Sequence, residues 1–275
     1  MSEPILLVGS TASDVEASVR IWNAIRTYFA DAGLPIEYAL YSTYEPMGRA
    51  LLSGAIDIAW NAPMAHVQSI ARSGGACRTL AMRDTDSAVA TVIITRADTG
   101  ITGVEDLPGH SIILGLDGSS ELRLLPERGL RRAGIDPVVD CQLVELEPRR
   151  YPNLEWWVDD FQIFDAVHNG AADAGAIFEP WLSHLRTKRG VSAQEMPAIW
   201  RSDPYNHCAF TARPGLPGAL GDRFVELLTA MDPADPAIAE MMKLEHLGRW
   251  LAADDSGWGD LLAAVDEAGL VGRLF

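Results

Sequence analysis

TYEPMGRALLSGAIDIAWNAPMAHVQSIARSG, residues 43–74, carries the fold in miniature. TYEPMGRALLSG reads as a short helix that Gly54 stops, because glycine accepts the left-handed conformation in which helices commonly end. AIDIAW (55–60) is a short apolar run with the length of a buried strand. PMAHVQSIARSG (63–74) is a second helix, with Pro63 in its first turn, where the missing N–H costs nothing. Helix, buried strand and helix within some thirty residues, the turns held to a few residues, predict strands running parallel in one sheet with right-handed crossovers.

The same rhythm extends outward. ILLVGS (5–10) is a strand run, and from Asp14 to Ala32 the positions Val15, Val19, Trp22, Ile25, Tyr28 and Phe29 recur at helical spacing until Gly33. IEYALY (36–41) and CRTLAM (77–82) are further strands. AVATVIITR (88–96) is rich in β-formers but breaks the rhythm, and a Gly-rich turn segment, DTGITGVEDLPG (98–109), follows it. Alternation then restarts. HSIILGL (110–116), CQLVEL (141–146) and ADAGAIF (172–178) read as strands; SSELRLLPERGLRRAGI (119–135), VDDFQIFDAVHNG (158–170) and EPWLSHLRTKRG (179–190) read as helices. PAIWRSDPYNHCAFTARPGLP (197–217) reads as a strand returning to the first body, and everything from Gly218 to Phe275 reads as helical. The expected organisation is an α/β protein of two lobes. Residues 1–95 and 205–275 form lobe one, residues 96–204 form an inserted lobe two, and the crossing strands are a hinge around an interlobe cleft.

Composition narrows the partners. The chain has 275 residues, 38 acids against 22 Lys and Arg, and a formal net charge of −16. That balance argues against nucleic acid or an anionic membrane surface, both of which call for basic patches. A small anion remains compatible, since a few oriented N–H groups bind one locally whatever the global sign. No apolar run approaches the roughly 18–20 residues that cross a bilayer, so membrane insertion is not expected. The start MSEPILLVGS has neither a basic region nor a long apolar one, which places the protein in the cytoplasm as it stands, and in the periplasm or at the cell surface if a leader precedes it. Cys77, Cys141 and Cys208 are widely separated, with no zinc-ligand spacing, so neither a metal nor a cofactor is expected. HExxH, GxSxG and phosphate-loop signatures are all missing from the sequence.

YSTYEPMGRALLSGAIDIAWNAP (41–63), DTGITGVEDLPGHSIILGLDGSSELRLLPERGLRRAGIDP (98–137) and NGAADAGAIF (169–178), in that order and spacing, resemble the phosphonate/phosphate-type substrate-binding proteins of ABC transporters. The similarity runs over about residues 5–215 and implies a two-lobed type 2 periplasmic-binding-protein fold, a small anionic ligand in the cleft, and a transporter permease as partner. It further implies that Tyr44 lines the cleft, that the turn Trp60-Asn61-Ala62-Pro63 faces it, and that Ser119 and Ser120 form the hydroxyl-rich helix start that grips an oxyanion. Glu179 falls near the place of an acid set against a ligand amine, and Asp160-Phe161 stand where the family usually carries a His–Asp pair.

The residues carry readings of their own. Gly118-Ser119-Ser120 follows a strand and opens a helix, so the helix dipole would favour an anion there; an ordinary Ser N-cap is the alternative. Ser10, Thr11 and Ser13 follow the first strand with the same logic, unless Asp14 caps the helix instead. Trp60 and the adjacent Trp156-Trp157 could stack on a ligand or fill a core, and adjacent indoles cannot both point inward along a strand. His207 is a further candidate ligand contact. In a strand its neighbour Cys208 would face the opposite way, so His207 would make a poor partner for a nucleophilic thiol. His66, on the helix after Pro63, is another candidate, while Arg83, Asp84 and Asp86 read as solvated turn charges. The rival to a binding protein is a cytoplasmic enzyme on the same fold, resembling decarboxylases, desulfinases or menaquinone-pathway enzymes; a ligand sensor is a third reading.

Overall fold

The computed structural model describes residues 5–12, 14–146 and 158–272. The chain begins with β1 (Leu6–Thr11), α1 (Val15–Asp31), β2 (Ile36–Tyr41), α2 (Tyr44–Ser53), β3 (Ile58–Asn61), α3 (Pro63–Arg72) and β4 (Arg78–Arg83). It continues with β5 (Thr91–Thr95), β6 (Ser111–Ile113), α4 (Leu125–Arg132), α5 (Pro137–Asp140) and β7 (Gln142–Val144). Then follow α6 (Val158–His168), β8 (Ala174–Phe178), α7 (Glu179–Arg189) and β9 (Ala198–Arg201). The last elements are β10 (Ala209–Ala212), α8 (Gly218–Thr229), α9 (Pro236–Leu244), β11 (Trp250–Ala252) and α10 (Gly259–Glu267). Two compact units result. One contains the segments up to Ala88, Asn206–Leu262 and from Gly269 on; the other contains Val89–Tyr205 and Ala263–Ala268.

In the first unit the strands lie in the order β11-β4-β10-β3-β1-β2. β1 runs parallel to both β2 and β3, as the helix–strand–helix spacing of residues 43–74 predicts, while β10 enters antiparallel between β3 and β4. Alternate side chains serve opposite faces. Leu6, Val8 and Ile58 pack with Trp22, Ile25 and Phe29 of α1 and with Phe224, Leu228 and Met241 of α8 and α9. Ala59 packs on the other face with Met47 and Leu51 of α2. Gly9 in β1 permits that second layer, because a Cβ there would lie 2.5 Å from Ile56 Cδ1 and 3.1 Å from Met47 Cγ.

The second unit has the strand order β7-β6-β8-β5-β9. β6 is parallel to β7 and β8, but β5 is antiparallel to both β8 and β9. That explains the broken rhythm at residues 88–96: an antiparallel strand needs no crossover helix beside it. β5 and β8 are buried along their whole length, which makes them continuous apolar runs rather than alternating ones. Gly175 lets α6 lie against β8, since a Cβ would sit 2.6 Å from Ile163 Cγ2.

Two expectations fail. Residues 197–217 are not one returning strand but two, β9 in the five-stranded sheet and β10 in the six-stranded sheet. The segment after Gly218 is not wholly helical, for β11 pairs antiparallel with β4 through Trp250 and Arg83. Three residues cannot announce a strand by periodicity, and this one is held by its edge position and by the burial of Trp250 against Phe210 and Trp60.

Candidate functional site

In open sheets with parallel strands, ligands gather beyond the carboxyl ends of those strands. In the first unit that edge holds Ser10 and Thr11 at the end of β1, Tyr44 at the start of α2 and Asn61 at the end of β3. Asp14 accepts from Ala17 N at 3.0 Å and so caps α1, which leaves Ser10 and Thr11 free of that task. Ser10 is nearly buried and donates to the Thr11 carbonyl at 3.1 Å. Tyr44 is half-buried against the α2–α3 layer. Trp60 points to the other face, its ring 4.7 Å from Phe210 and 5.7 Å from Trp250, with the Arg83 guanidinium 5.2 Å above it. Neither α2 nor α3 has a side-chain cap, so no capping side chain competes for their first-turn N–H groups.

Asn61 belongs to a buried chain of hydrogen bonds. Its Nδ2 lies 2.9 Å from Thr211 Oγ1, which lies 2.8 Å from His66 Nδ1. His66 Nε2 is 3.3 Å from Thr79 Oγ1, and Thr79 Oγ1 is 2.5 Å from Asp255 Oδ1. A carboxylate only accepts, so Thr79 spends its single proton on Asp255 and must accept from His66 Nε2–H. His66 Nδ1 is then an acceptor, Thr211 donates to it, and Asn61 donates to Thr211. The chain fixes the tautomer of His66 and the orientation of the Asn61 amide, whose Oδ1 is buried with no hydrogen-bond partner among the described residues. Burial pushes His66 down to about 4 against the opposing pull of Asp255, so the ring is neutral.

A second group at the same end of the sheet has the opposite character. Arg83, at the end of β4, forms a two-pronged pair with Asp86, Nε to Oδ2 at 2.5 Å and Nη2 to Oδ1 at 3.0 Å, and also reaches Glu245 at 3.3 Å. His207 Nδ1 lies 3.2 Å from Asp86 Oδ1 and 3.1 Å from Cys208 Sγ. Burial would push His207 down, but the Cys208 sulfur and the Asp86 carboxylate hold it well above its ordinary value. Burial would likewise push the Asp86 carboxyl up, yet the His207 hydrogen bond and the Arg83 charge hold it low. Two corrections follow. Asp86 is not a solvated turn charge, being only 3% exposed, and the Arg83 side chain is largely covered with it. His207 and Cys208 do not face opposite ways, because β10 starts only at Ala209 and the two preceding residues are free of the strand's alternation.

In the second unit, Gly118 has a φ of +84° and turns the chain into a π-helical turn, Ser120–Leu124, that leads into α4. Ser119 Oγ accepts from Leu122 N at 3.2 Å, an N-cap. Ser120 is buried and its hydroxyl donates to Glu121 Oε2 at 2.6 Å. Glu179, at the start of α7, receives both Nε and Nη2 of Arg201 at 2.7 Å. Asp160 accepts from Phe178 N at 2.8 Å and so ties α6 to the end of β8. Tyr205 and Thr91 escaped the sequence reading; the two hydroxyls lie 2.9 Å apart, and Thr91 donates to the Glu121 carbonyl at 2.8 Å. Ser13 and Trp156-Trp157 lie outside the described residues.

Two α/β units with these sheet orders, candidate residues at the carboxyl ends of the strands, define the class of periplasmic-binding-protein folds. Residues 10–258 match the family described as ABC transporter, phosphonate, periplasmic substrate-binding protein, and the chain belongs to that family. Its function is solute binding. The phosphate-import protein PhnD of Mycolicibacterium smegmatis is 25% identical over 260 residues, covering 90% of this chain and 76% of that one. XAC2383 of Xanthomonas citri, solved bound to ATP, superposes with a TM-score of 0.74 at 18% identity, covering 98% of this chain and 99% of that chain. PhnD1 of Prochlorococcus marinus, solved with methylphosphonate, has a TM-score of 0.66 at 15% identity and coverage of 97% and 98%. Among the described residues no helix is long and apolar enough to cross a membrane.

Proposed function

We propose that the solute is a small oxyanion of the phosphate or phosphonate class, recognised through hydroxyls and backbone N–H groups rather than through cations. The observation that carries this reading is the disposition of charge. Two arginines near the candidate residues, Arg83 and Arg201, are each engaged by a carboxylate through two hydrogen bonds, with Asp86 and Glu179 respectively. What remains at the strand ends is Ser10, Thr11, Tyr44 and Asn61 in one unit and the Ser119–Ser120 helix start in the other. Such groups bind an anion by dipole and hydrogen bond without adding net charge. The phosphate-import relative and the methylphosphonate held by a solved relative support the same chemistry. Glu179 would then meet a ligand donor only by sharing its carboxylate with Arg201, and His207 and Trp60 serve the edge from behind. We further propose that the protein delivers its solute to an ABC transporter permease and works in the periplasm, as its family does.

Calorimetric titration tests the serine assignment. Ser119→Leu combined with Ser120→Leu is expected to abolish binding of phosphate or methylphosphonate. Ser119→Ala, which removes a hydroxyl whose proton is not used by the N-cap bond it accepts, is expected to weaken it about tenfold, the worth of one hydrogen bond of roughly 1.4 kcal/mol. Unchanged affinity in folded variants, judged by circular dichroism, would remove these serines from the site.

A further inference from the structure

Asp86, His207 and Cys208 bring three metal-ligating atoms together, an oxygen, a nitrogen and a sulfur, all within 4.8 Å of one another and all buried. The nitrogen is central, 3.2 Å from the oxygen and 3.1 Å from the sulfur. Ligand bonds of about 2.0–2.3 Å in a tetrahedral zinc site place neighbouring ligand atoms roughly 3.3–3.8 Å apart, so these two separations fall short by only a few tenths of an ångström. The positions are held from outside the cluster. His207 N donates to the Asp86 carbonyl at 2.9 Å, Arg83 grips the Asp86 carboxylate from the far side, and Ala88 N donates to Asn206 Oδ1 at 3.2 Å.

One ring nitrogen faces both an acceptor oxygen and a sulfur, yet it carries a single proton and cannot serve both with good geometry. A cation at the point where the three atoms converge would serve all of them. The charges agree. Asp86 and Glu245 place two carboxylates around the single guanidinium of Arg83, and a thiol that ligates a divalent ion gives up its proton in doing so. A mixed sulfur, imidazole and carboxylate set suits a borderline-soft ion such as Zn²⁺, with three protein ligands and a fourth position left for water.

We infer that Asp86, His207 and Cys208 form a binding site for a divalent ion of the zinc type, which pins the segment before β10 to the end of β4. The inference is independent of the identity of the solute. Its test is a titration of chelator-stripped protein with Co²⁺, followed by the thiolate-to-cobalt charge-transfer band in the near ultraviolet. The band is expected to saturate at one equivalent and to be displaced by Zn²⁺. It should be lost in Cys208→Ser and weakened at least tenfold in His207→Asn, and it should persist in Cys77→Ser and Cys141→Ser. A measurement on the unmodified chain guards against a variant that misfolds: Zn²⁺ is expected to slow alkylation of Cys208 at least tenfold, read by peptide mass. No band at one equivalent, a band that survives in Cys208→Ser, or alkylation of Cys208 that ignores Zn²⁺ would overturn the site; carboxylates scattered on the acidic surface give no thiolate band.

Discussion

His66 and His207 are both buried in the same unit, 1% and 6% exposed, and their pKa values are shifted in opposite directions. His66 stands among hydroxyls, between Thr211 and Thr79, and burial drives it to about 4. His207 stands between a carboxylate and a sulfur, which outweigh the same burial and hold it well above its ordinary value. Burial alone therefore does not fix the protonation of a histidine: it prevails at His66 and is outweighed at His207 by the partners about 3 Å away. The neutral chain through His66 orients Asn61 without placing charge at the strand ends, whereas the charged group around His207 locks Arg83 away. Together they leave that edge of the unit to neutral donors, the condition on which the proposed recognition of an oxyanion rests.

Asp86→Asn keeps the shape but strips Arg83 and His207 of their shared counter-charge, and stability in urea is expected to fall by about 3–5 kcal/mol. A loss under 1 kcal/mol would mean that the cluster is solvated after all. The neutral side is sharpened by pH. The unfolded His66 takes up its proton near its ordinary pKa of 6.5, while the folded ring resists until about 4. Between these values the unfolded state binds more protons, so the stabilisation is complete above about 6.5 and is lost as pH falls towards 4. The expected loss is about 3 kcal/mol, and denaturation curves of His66→Gln should lack this slope. An unchanged slope in that variant would assign the effect to another group. The smallest effect is expected at Thr211→Val, which removes the hydroxyl between Asn61 and His66 at nearly constant volume and should cost about 1–3 kcal/mol by orphaning buried polar groups.

What was legible in the sequence follows from locality. The helix–strand–helix unit of residues 43–74 depends on neighbours in the chain, so its two helices, the strand between them and the Gly54 stop are legible there, and the parallel pairing of that strand with β1 follows from the crossover such a unit makes. The family resemblance was readable for the same reason, in three stretches whose order and spacing are local features. β11 was not readable, since its pairing with β4 joins residues more than 160 positions apart and its three residues show no period. The burial of Asp86 was hidden in the same way: only the return of His207 from 121 residues further on turns a polar turn into a buried ion pair. Alternation sets neighbouring side chains on opposite faces only within a strand, and β10 begins at Ala209, one residue after Cys208, so the rule does not reach His207 and Cys208.

The central claim, that the protein binds a small oxyanion through neutral donors, is tested most directly by calorimetric titration of the ligand-free protein with phosphate, methylphosphonate and an alkanesulfonate. At least one of them is expected to bind with a dissociation constant of about 1 μM or below, equivalent to roughly 8 kcal/mol or more. Silence towards all three, together with binding of a neutral or cationic solute, would contradict it.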